Sequence, residues 1–232
     1  MKKRFAVSTV LMSTALVLGT TTAWAETSTG ESTAKITFTI NGAPIVVDPI
    51  DPKPENEYKP GEGENPIFNG NTGPLTLDYA SNFNFGSHDS ADKKTTFKSI
   101  DQKPFIQVTD RRSVKDIWRL SVKLGAFTNE DSSKKTLTNA KLTIKQGTVQ
   151  TLVGLENKFA PKNSEVSLNA GGDAGIILTS VADTVSTWQV YWDKDPGTTP
   201  LNSNISLDVP LNAQIEGTHT ATLEWTLTDA VN

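Results

Sequence analysis

The sequence WRLSVKL at residues 118–124 places an apolar side chain at every second position. A second stretch, LEWTLT at residues 223–228, has the same alternation and a second Trp-x-Leu tripeptide. Because successive side chains of a β-strand point to opposite faces, each stretch predicts a strand with one buried and one solvated face. The apolar faces carry Trp118 and Leu120 in the first strand and Trp225 and Leu227 in the second, and the polar faces carry Arg119, Glu224 and Thr226.

Seven further stretches between residue 75 and the C-terminus have the composition of short strands, with Gly, Asn, Asp, Ser and Pro between them. They are 75–79, 105–109, 140–144, 165–168, 176–179, 187–192 and 205–209, in addition to 117–124 and 221–228 around the two tripeptides. No long stretch has the period of an amphipathic helix. Such spacing is typical of an all-β sandwich or barrel, and the uneven loops favour a single sandwich-like domain of mainly antiparallel strands.

Residues 1–25 have the features of a secretory signal peptide. Lys2, Lys3 and Arg4 precede an apolar run, and Ala23-Trp24-Ala25 is a small-x-small cleavage signal. We therefore expect cleavage before Glu26, in preference to an uncleaved anchor. No later stretch approaches the roughly 20 apolar residues of a membrane-spanning helix, and no sortase signal follows Trp225. We therefore expect a secreted protein that holds its location without a covalent anchor.

The composition limits the classes of partner. Without Lys2, Lys3 and Arg4 the chain has 19 basic and 26 acidic residues, a net charge of −7. This balance is unlike the basic footprint of a nucleic-acid-binding protein. The chain has no cysteine, so a secreted form relies on its packed core for stability.

Two segments of distinct composition separate the signal peptide from the strand-rich region. Residues 26–47 contain alternating apolar residues before Asn41-Gly42, a strong turn signal, and the consecutive apolar residues Ile45, Val46 and Val47 after it. Together they predict a β-hairpin between Lys35 and Val47. Residues 48–74 are rich in proline, glycine and acidic residues, which predicts a semi-rigid linker. They lack the spacing of a calcium-binding loop. Residues 75–232 then form the main domain.

Four segments of that domain together carry a family resemblance. They are LTLDYASNFNFGS at 75–87, PFIQVTDRR at 104–112 followed by WRLSV at 118–122, SLDVP at 206–210 and LEWTLTDA at 223–230. In this order they resemble the WxL domain of Gram-positive surface proteins, and the whole layout resembles the small WxL proteins. One departure is Ile117, since the first motif of the family often follows a glycine.

The resemblance implies non-covalent attachment to the cell wall through peptidoglycan, within a surface complex. Its partners would be neighbouring WxL proteins or membrane-anchored surface proteins. The alternative is an interaction subunit whose hairpin adds a strand to a membrane-anchored surface protein or a host extracellular-matrix protein, with indirect wall attachment.

Two interpretations of the motif tryptophans remain open at this point. A tryptophan on the apolar face of a strand is usually part of the core. Alternatively, the two motifs lie side by side and form a platform for sugar rings, or buried tryptophans position exposed polar neighbours. The candidate peptidoglycan-binding residues are Trp118, Arg119, Leu120, Trp225, Thr226, Leu227, Asp110 and Glu224, although strand-end aspartates such as Asp110 are also typical turn caps. Arg111 and Arg112 fit either an anion-binding fork or a solvated turn.

Catalytic chemistry has little support in the sequence. His88 and His219 are the only histidines, and neither lies in a metalloprotease motif. There is no cysteine nucleophile, no Gly-x-Ser-x-Gly and no phosphate-binding loop. We therefore expect a protein that is not an enzyme, with no catalytic residues, no metal and no cofactor.

Overall fold

The computed structural model describes residues 33–37, 39, 42–59, 67–68, 72–113, 116–129, 135–152, 157–197 and 201–229, with backbone alone for 67–68. Contacts divide the chain into a unit of residues 1–38 and a unit of residues 39–232, and the description below concerns the second. The predicted signal peptide lies outside the described residues. Among those residues, none of the helices is long and apolar enough to span a membrane.

The described residues form fifteen β-strands and three short 3₁₀ helices, the latter at Ser90–Asp92, Asn157–Phe159 and Leu211–Ala213. The strands are β1 (Ile67–Phe68), β2 (Leu75–Ala80), β3 (Thr96–Ser99), β4 (Phe105–Asp110), β5 (Trp118–Leu124), β6 (Thr128–Asn129), β7 (Lys141–Ile144), β8 (Thr148–Thr151), β9 (Lys162–Asn163), β10 (Val166–Asn169), β11 (Gly175–Thr179), β12 (Ser186–Tyr191), β13 (Asn202–Asp208), β14 (His219–Thr220) and β15 (Leu223–Asp229). Each of the nine strands predicted in the main domain overlaps an observed strand.

These strands form four antiparallel sheets. The largest has the order β1-β2-β4-β12-β8, and two four-stranded sheets have the orders β10-β7-β13-β3 and β15-β5-β11-β9. A two-stranded sheet pairs β14 with β6. The predicted all-β, sandwich-like class of short antiparallel strands is confirmed.

One apolar core joins the three larger sheets. It takes Ile106 and Val190 from the largest sheet, Leu142 and Ile205 from the second, and Leu120 from the third, together with other inward-facing residues of the same strands. The alternating sequence pattern of these strands therefore corresponds to one face against a shared core and one face away from it.

The largest sheet is buried on its second face as well, by the segment 45–49. Gln107, Gln189 and Gln150 lie opposite one another on β4, β12 and β8. Their amide nitrogens donate to the main-chain carbonyls of residues 45, 47 and 49, over 2.9, 2.8 and 3.0 Å respectively. Alternate carbonyls of an extended chain point the same way. A row of glutamines across three strands can therefore bind this segment to the sheet although the segment does not pair with β4, β12 or β8.

The same row of glutamines is hydrogen-bonded along its length. Gln150 donates to Gln189 over 2.8 Å, Gln189 donates to Gln107 over 3.1 Å, and Gln107 donates to the Asp78 carboxylate over 3.0 Å. Asp78 is 4% exposed and also accepts hydrogen bonds from Thr76 and Thr109. Burial raises the pKa of Asp78, against the opposing effect of these hydrogen bonds.

The predicted hairpin and linker are not confirmed. Among the described residues of the predicted hairpin, only Val47 forms a β-bridge. Its partner is Glu57, which lies outside the predicted hairpin. Part of the turn, including Asn41, lies outside the described residues. The start of the predicted linker packs against the domain, since Tyr58 contacts Tyr79 and Phe105 edge-on at ring-centroid distances of 5.2 and 4.9 Å. The division of the chain at residue 74 stays a prediction.

Replacing Gln107 by leucine tests the role of the glutamine row. The change leaves the Val47 N–H, the Ile45 carbonyl and Asp78 without this partner in a buried layer. We expect the free energy of unfolding to fall by about 2–4 kcal/mol, since each buried polar group left unpaired costs about 1–3 kcal/mol. Gln146→Leu, on an exposed loop, is the matched control and should change stability by less than about 0.5 kcal/mol. Equal effects in urea titrations would contradict the assignment.

A second polar contact ties the edge strand β3 to β13. The Asp195 carboxylate accepts hydrogen bonds from Lys98 over 2.8 Å and from the Ser203 hydroxyl and N–H over 2.5 and 2.9 Å. The hydrogen bond from Lys98, followed by those from Ser203, lowers the pKa of Asp195 from 3.8 to about 2. The folded state thus favours the ionised carboxylate.

This contact predicts an acid-dependent loss of stability. The folded pKa lies below the unfolded pKa, so the contribution is complete above about pH 4 and is lost as the pH falls towards 2. Asp195→Asn should lower the free energy of unfolding by about 0.5–1 kcal/mol at pH 6, the range of a surface ion pair. The difference from the unmodified protein should shrink between pH 4 and pH 2. Asp173→Asn, at an exposed loop residue, serves as the control, and a difference that did not vary with pH would refute the linkage.

Candidate functional site

The two Trp-x-Leu motifs lie on adjacent antiparallel strands, β5 and β15. Trp225 pairs with Val122, and Leu227 pairs with Leu120, so the motifs overlap at their leucines. The register continues to the end of β15, where Asp229 lies opposite Trp118. Seven of the eight candidate residues are therefore brought together on one two-stranded ribbon.

The inner face of this ribbon differs between the two motifs. Trp118 and Leu120 are 0% exposed, whereas Trp225 and Leu227 are half-buried at the boundary of the core. The difference follows from strand position, because β5 has a neighbour on both sides and β15 lies at the edge of its sheet. The same tripeptide thus supplies a core tryptophan in one strand and an accessible one in the other.

The outer face of the ribbon is polar and exposed. Arg119 on β5 and Glu224 and Thr226 on β15 all point away from the core. Glu224 lies opposite Lys123, and Thr226 lies opposite Ser121. This face offers hydroxyl groups and both signs of charge to a polar polymer.

The eighth candidate, Asp110, is joined to the ribbon through Arg112. Asp110 is 2% exposed at the end of β4 and binds the Arg112 guanidinium with both carboxylate oxygens, at 3.0 and 2.8 Å. Arg112 also donates to the Asp116 carbonyl over 2.6 Å and to the Asp229 carboxylate. The hydrogen bond to Asp110 is the main cause that raises the pKa of Arg112. Arg112, for which an anion-binding fork and a solvated turn were both open, therefore binds carboxylates of the chain itself.

A cavity of about 410 Å³ opens beside the half-buried tryptophan, at the start of β15. Phe83 and Phe85 line it from the segment after β2, and Phe127 lines it from the loop after β5. His219 of β14 and Trp225 of β15 also line it. Its volume is within the roughly 300–1,000 Å³ of small-molecule sites.

A family model described as WxL domain surface cell wall-binding matches residues 25–230. The chain belongs to this family. WxL domains are surface domains that bind the cell wall, which makes this a binding family rather than an enzyme family. No curated protein and no solved structure matches the chain. Among the residues that the structure describes, no group of three or more His, Asp or Glu side chains is placed to hold a metal ion.

Apart from Trp225, the cavity residues of this WxL domain were not singled out from the sequence as a site. Phe83 and Phe85 alternate directly after a strand, a pattern that presents two aromatic rings on one side. His219 gave no signal of its own, since its position depends on pairing with Asn129 across β6 and β14. Only the spatial meeting of these segments creates the cavity.

Alanine substitutions of the two motif tryptophans should separate their roles. Trp118→Ala empties a fully buried site and should lower the free energy of unfolding by about 3–5 kcal/mol. Trp225→Ala should cost markedly less, about 1–2 kcal/mol, because its side chain already contacts solvent. Urea unfolding followed by far-ultraviolet circular dichroism measures both. Equal losses would mean that Trp225 is also a core residue.

Proposed function

We propose that this protein is a secreted surface protein that binds peptidoglycan non-covalently through residues 75–232. The observation that carries the proposal is the joining of both motifs into one ribbon whose second tryptophan is accessible beside a cavity. Membership of a surface cell wall-binding family supports the location.

In this proposal the eight candidate residues have different tasks. Trp225, Arg119, Glu224 and Thr226 contact the wall polymer, because they are the accessible members of the ribbon. Trp118, Leu120 and Leu227 position these contacts from the core side, and Asp110 holds the ribbon end through Arg112. Aromatic rings are suited to sugar binding, since they offer a flat apolar surface with a polar N–H at the rim.

We also propose that wall attachment occurs within a surface complex containing other WxL or membrane-anchored surface proteins. The supporting observation is that β15 is a seven-residue edge strand, and a strand edge offers unpaired main-chain groups to a second chain. The alternative is an interaction subunit that binds a membrane-anchored surface protein or a host extracellular-matrix protein through residues 35–47, with indirect wall attachment.

Co-sedimentation with purified Gram-positive sacculi tests wall binding. The mature protein, residues 26–232, should pellet with sacculi, and Trp225→Ala should reduce the pelleted fraction about tenfold or more while it stays folded, in line with the loss of a central aromatic contact. Gln146→Ala, outside the ribbon, should pellet as the unmodified protein does. If the unmodified protein stays in the supernatant while an established wall-binding protein pellets, direct peptidoglycan binding is wrong.

A further inference from the structure

The cavity beside Trp225 has an uncharged lining. Among the described residues that line it there is no Asp, Glu, Lys or Arg. Three phenylalanines, Phe83, Phe85 and Phe127, form apolar walls together with Leu124. Stem peptides of peptidoglycan carry carboxylates and an ammonium group, and a site for such groups needs charged or densely hydrogen-bonding partners. The lining therefore favours the neutral glycan strand over the peptide.

His219 lines this cavity and has one ring nitrogen without a hydrogen-bond partner in the described chain. Its Nδ1 lies 3.0 Å from the Gly217 carbonyl oxygen, and a carbonyl only accepts, so Nδ1 carries the proton. In the neutral imidazole this leaves Nε2 as an acceptor. Nε2 is buried and has no hydrogen-bond partner in the described chain. Buried polar atoms in native proteins are rarely left without a partner, so this nitrogen points to a missing donor.

Trp225 contributes the complementary donor. The indole N–H groups of Trp188 and Trp192 donate to the main-chain carbonyls of Val185 and Lys145, over 2.8 and 2.7 Å. The Trp225 indole makes no hydrogen bond to the described residues. Unlike Trp118, whose indole nitrogen is sealed in the core, Trp225 lies at the cavity and can donate to a bound molecule.

We propose that this cavity binds the acetamido group of an N-acetylated amino sugar in the glycan strand of peptidoglycan. An acetamido group has an N–H for His219 Nε2, a carbonyl for the Trp225 N–H and a methyl group for the phenylalanine walls. The inference rests on the proposed peptidoglycan binding and names the part of the polymer that the site recognises.

The test compares two soluble oligosaccharides with the same β-1,4-linked backbone. Tetra-N-acetylchitotetraose has an acetamido group at C2 of every ring, whereas cellotetraose has a hydroxyl there. Each is titrated into the mature protein, and the indole N–H signals are followed by ¹H–¹⁵N nuclear magnetic resonance, with the Trp225 signal assigned from Trp225→Phe. The acetylated sugar should shift that signal, and cellotetraose should bind at least about tenfold more weakly, since it lacks both the amide and the methyl group.

Two substitutions of His219 form a matched pair. Asparagine places its amide near the Nδ1 position and keeps a donor for Gly217, but removes the acceptor at Nε2. Glutamine places a carbonyl oxygen near Nε2 and keeps the acceptor. We expect His219→Asn to weaken binding of the acetylated sugar about fivefold, the effect of one hydrogen bond, and His219→Gln to stay within about twofold of the unmodified protein. Gln146→Ala is the unchanged control.

Co-sedimentation with sacculi, run in parallel, separates the two proposals. Equal binding of both oligosaccharides, binding of neither, or equal effects of the two His219 variants overturns the acetamido site, even where the protein still pellets with sacculi. A shift of the Trp225 signal by the free stem peptide instead of the sugar also overturns it. If the acetylated sugar binds as expected but sacculi do not retain the protein, the acetamido site is supported and direct wall attachment is refuted.

Discussion

The pairing of β5 with β15 is the constraint on which the candidate site depends. Its register is set by side-chain alternation, because a slip of one residue would move Trp225 and Leu227 from the core side to solvent. Leu120 and Leu227 lie opposite each other at the overlap of the two motifs, which fixes the ribbon at its centre. Arg112 fixes one end by binding Asp229 and Asp110 together. The outer polar face and the cavity at the opposite end follow from that single register.

Much of the fold could be predicted from local pattern, and the exceptions have clear physical causes. The strands around Trp118 and Trp225 were predicted from apolar alternation, and the structure has them on the predicted faces. β3 and β8, with sequences TFKS and TVQT, were missed because each contains a single apolar residue. Gln107 and Gln189 are fully buried, contrary to the usual tendency of their residue type. Their burial depends on the segment 45–49, a contact between distant parts of the chain that no local pattern indicates.

The sequence predicted which residues belong to the candidate site better than it predicted how they are arranged. Alternation assigned Arg119, Glu224 and Thr226 to an exposed face, as observed. It could not distinguish Trp118 from Trp225, since each is the tryptophan of a Trp-x-Leu tripeptide on the apolar face of an alternating strand. Which tryptophan is accessible depends on whether its strand has one neighbour or two, and that is a property of sheet order. The cavity was harder to predict than the ribbon, because segments distant in sequence line it. One of them contains His219, whose position depends on the pairing of β14 with β6.

The contrast between the two motifs also gives each copy of the tripeptide a separate role in the proposed site. A binding surface on a strand ribbon loses affinity if the free ribbon is flexible, because ordering it on binding costs conformational entropy. Trp118, held in the core with its main-chain N–H donating to Ser180 over 2.8 Å, keeps β5 rigid. Arg112 joins the end of β4 to the end of β15 by binding Asp110 and Asp229. Trp225 is therefore presented at the sheet edge by a ribbon whose other strand has its tryptophan buried in the core. In the proposed peptidoglycan site, contact energy at its ring would contribute to binding instead of offsetting that cost. If Trp118 were accessible as well, it would add contact area. However, β5 would then lose the buried side chain that holds it, and with it the paired strand of Trp225, in position.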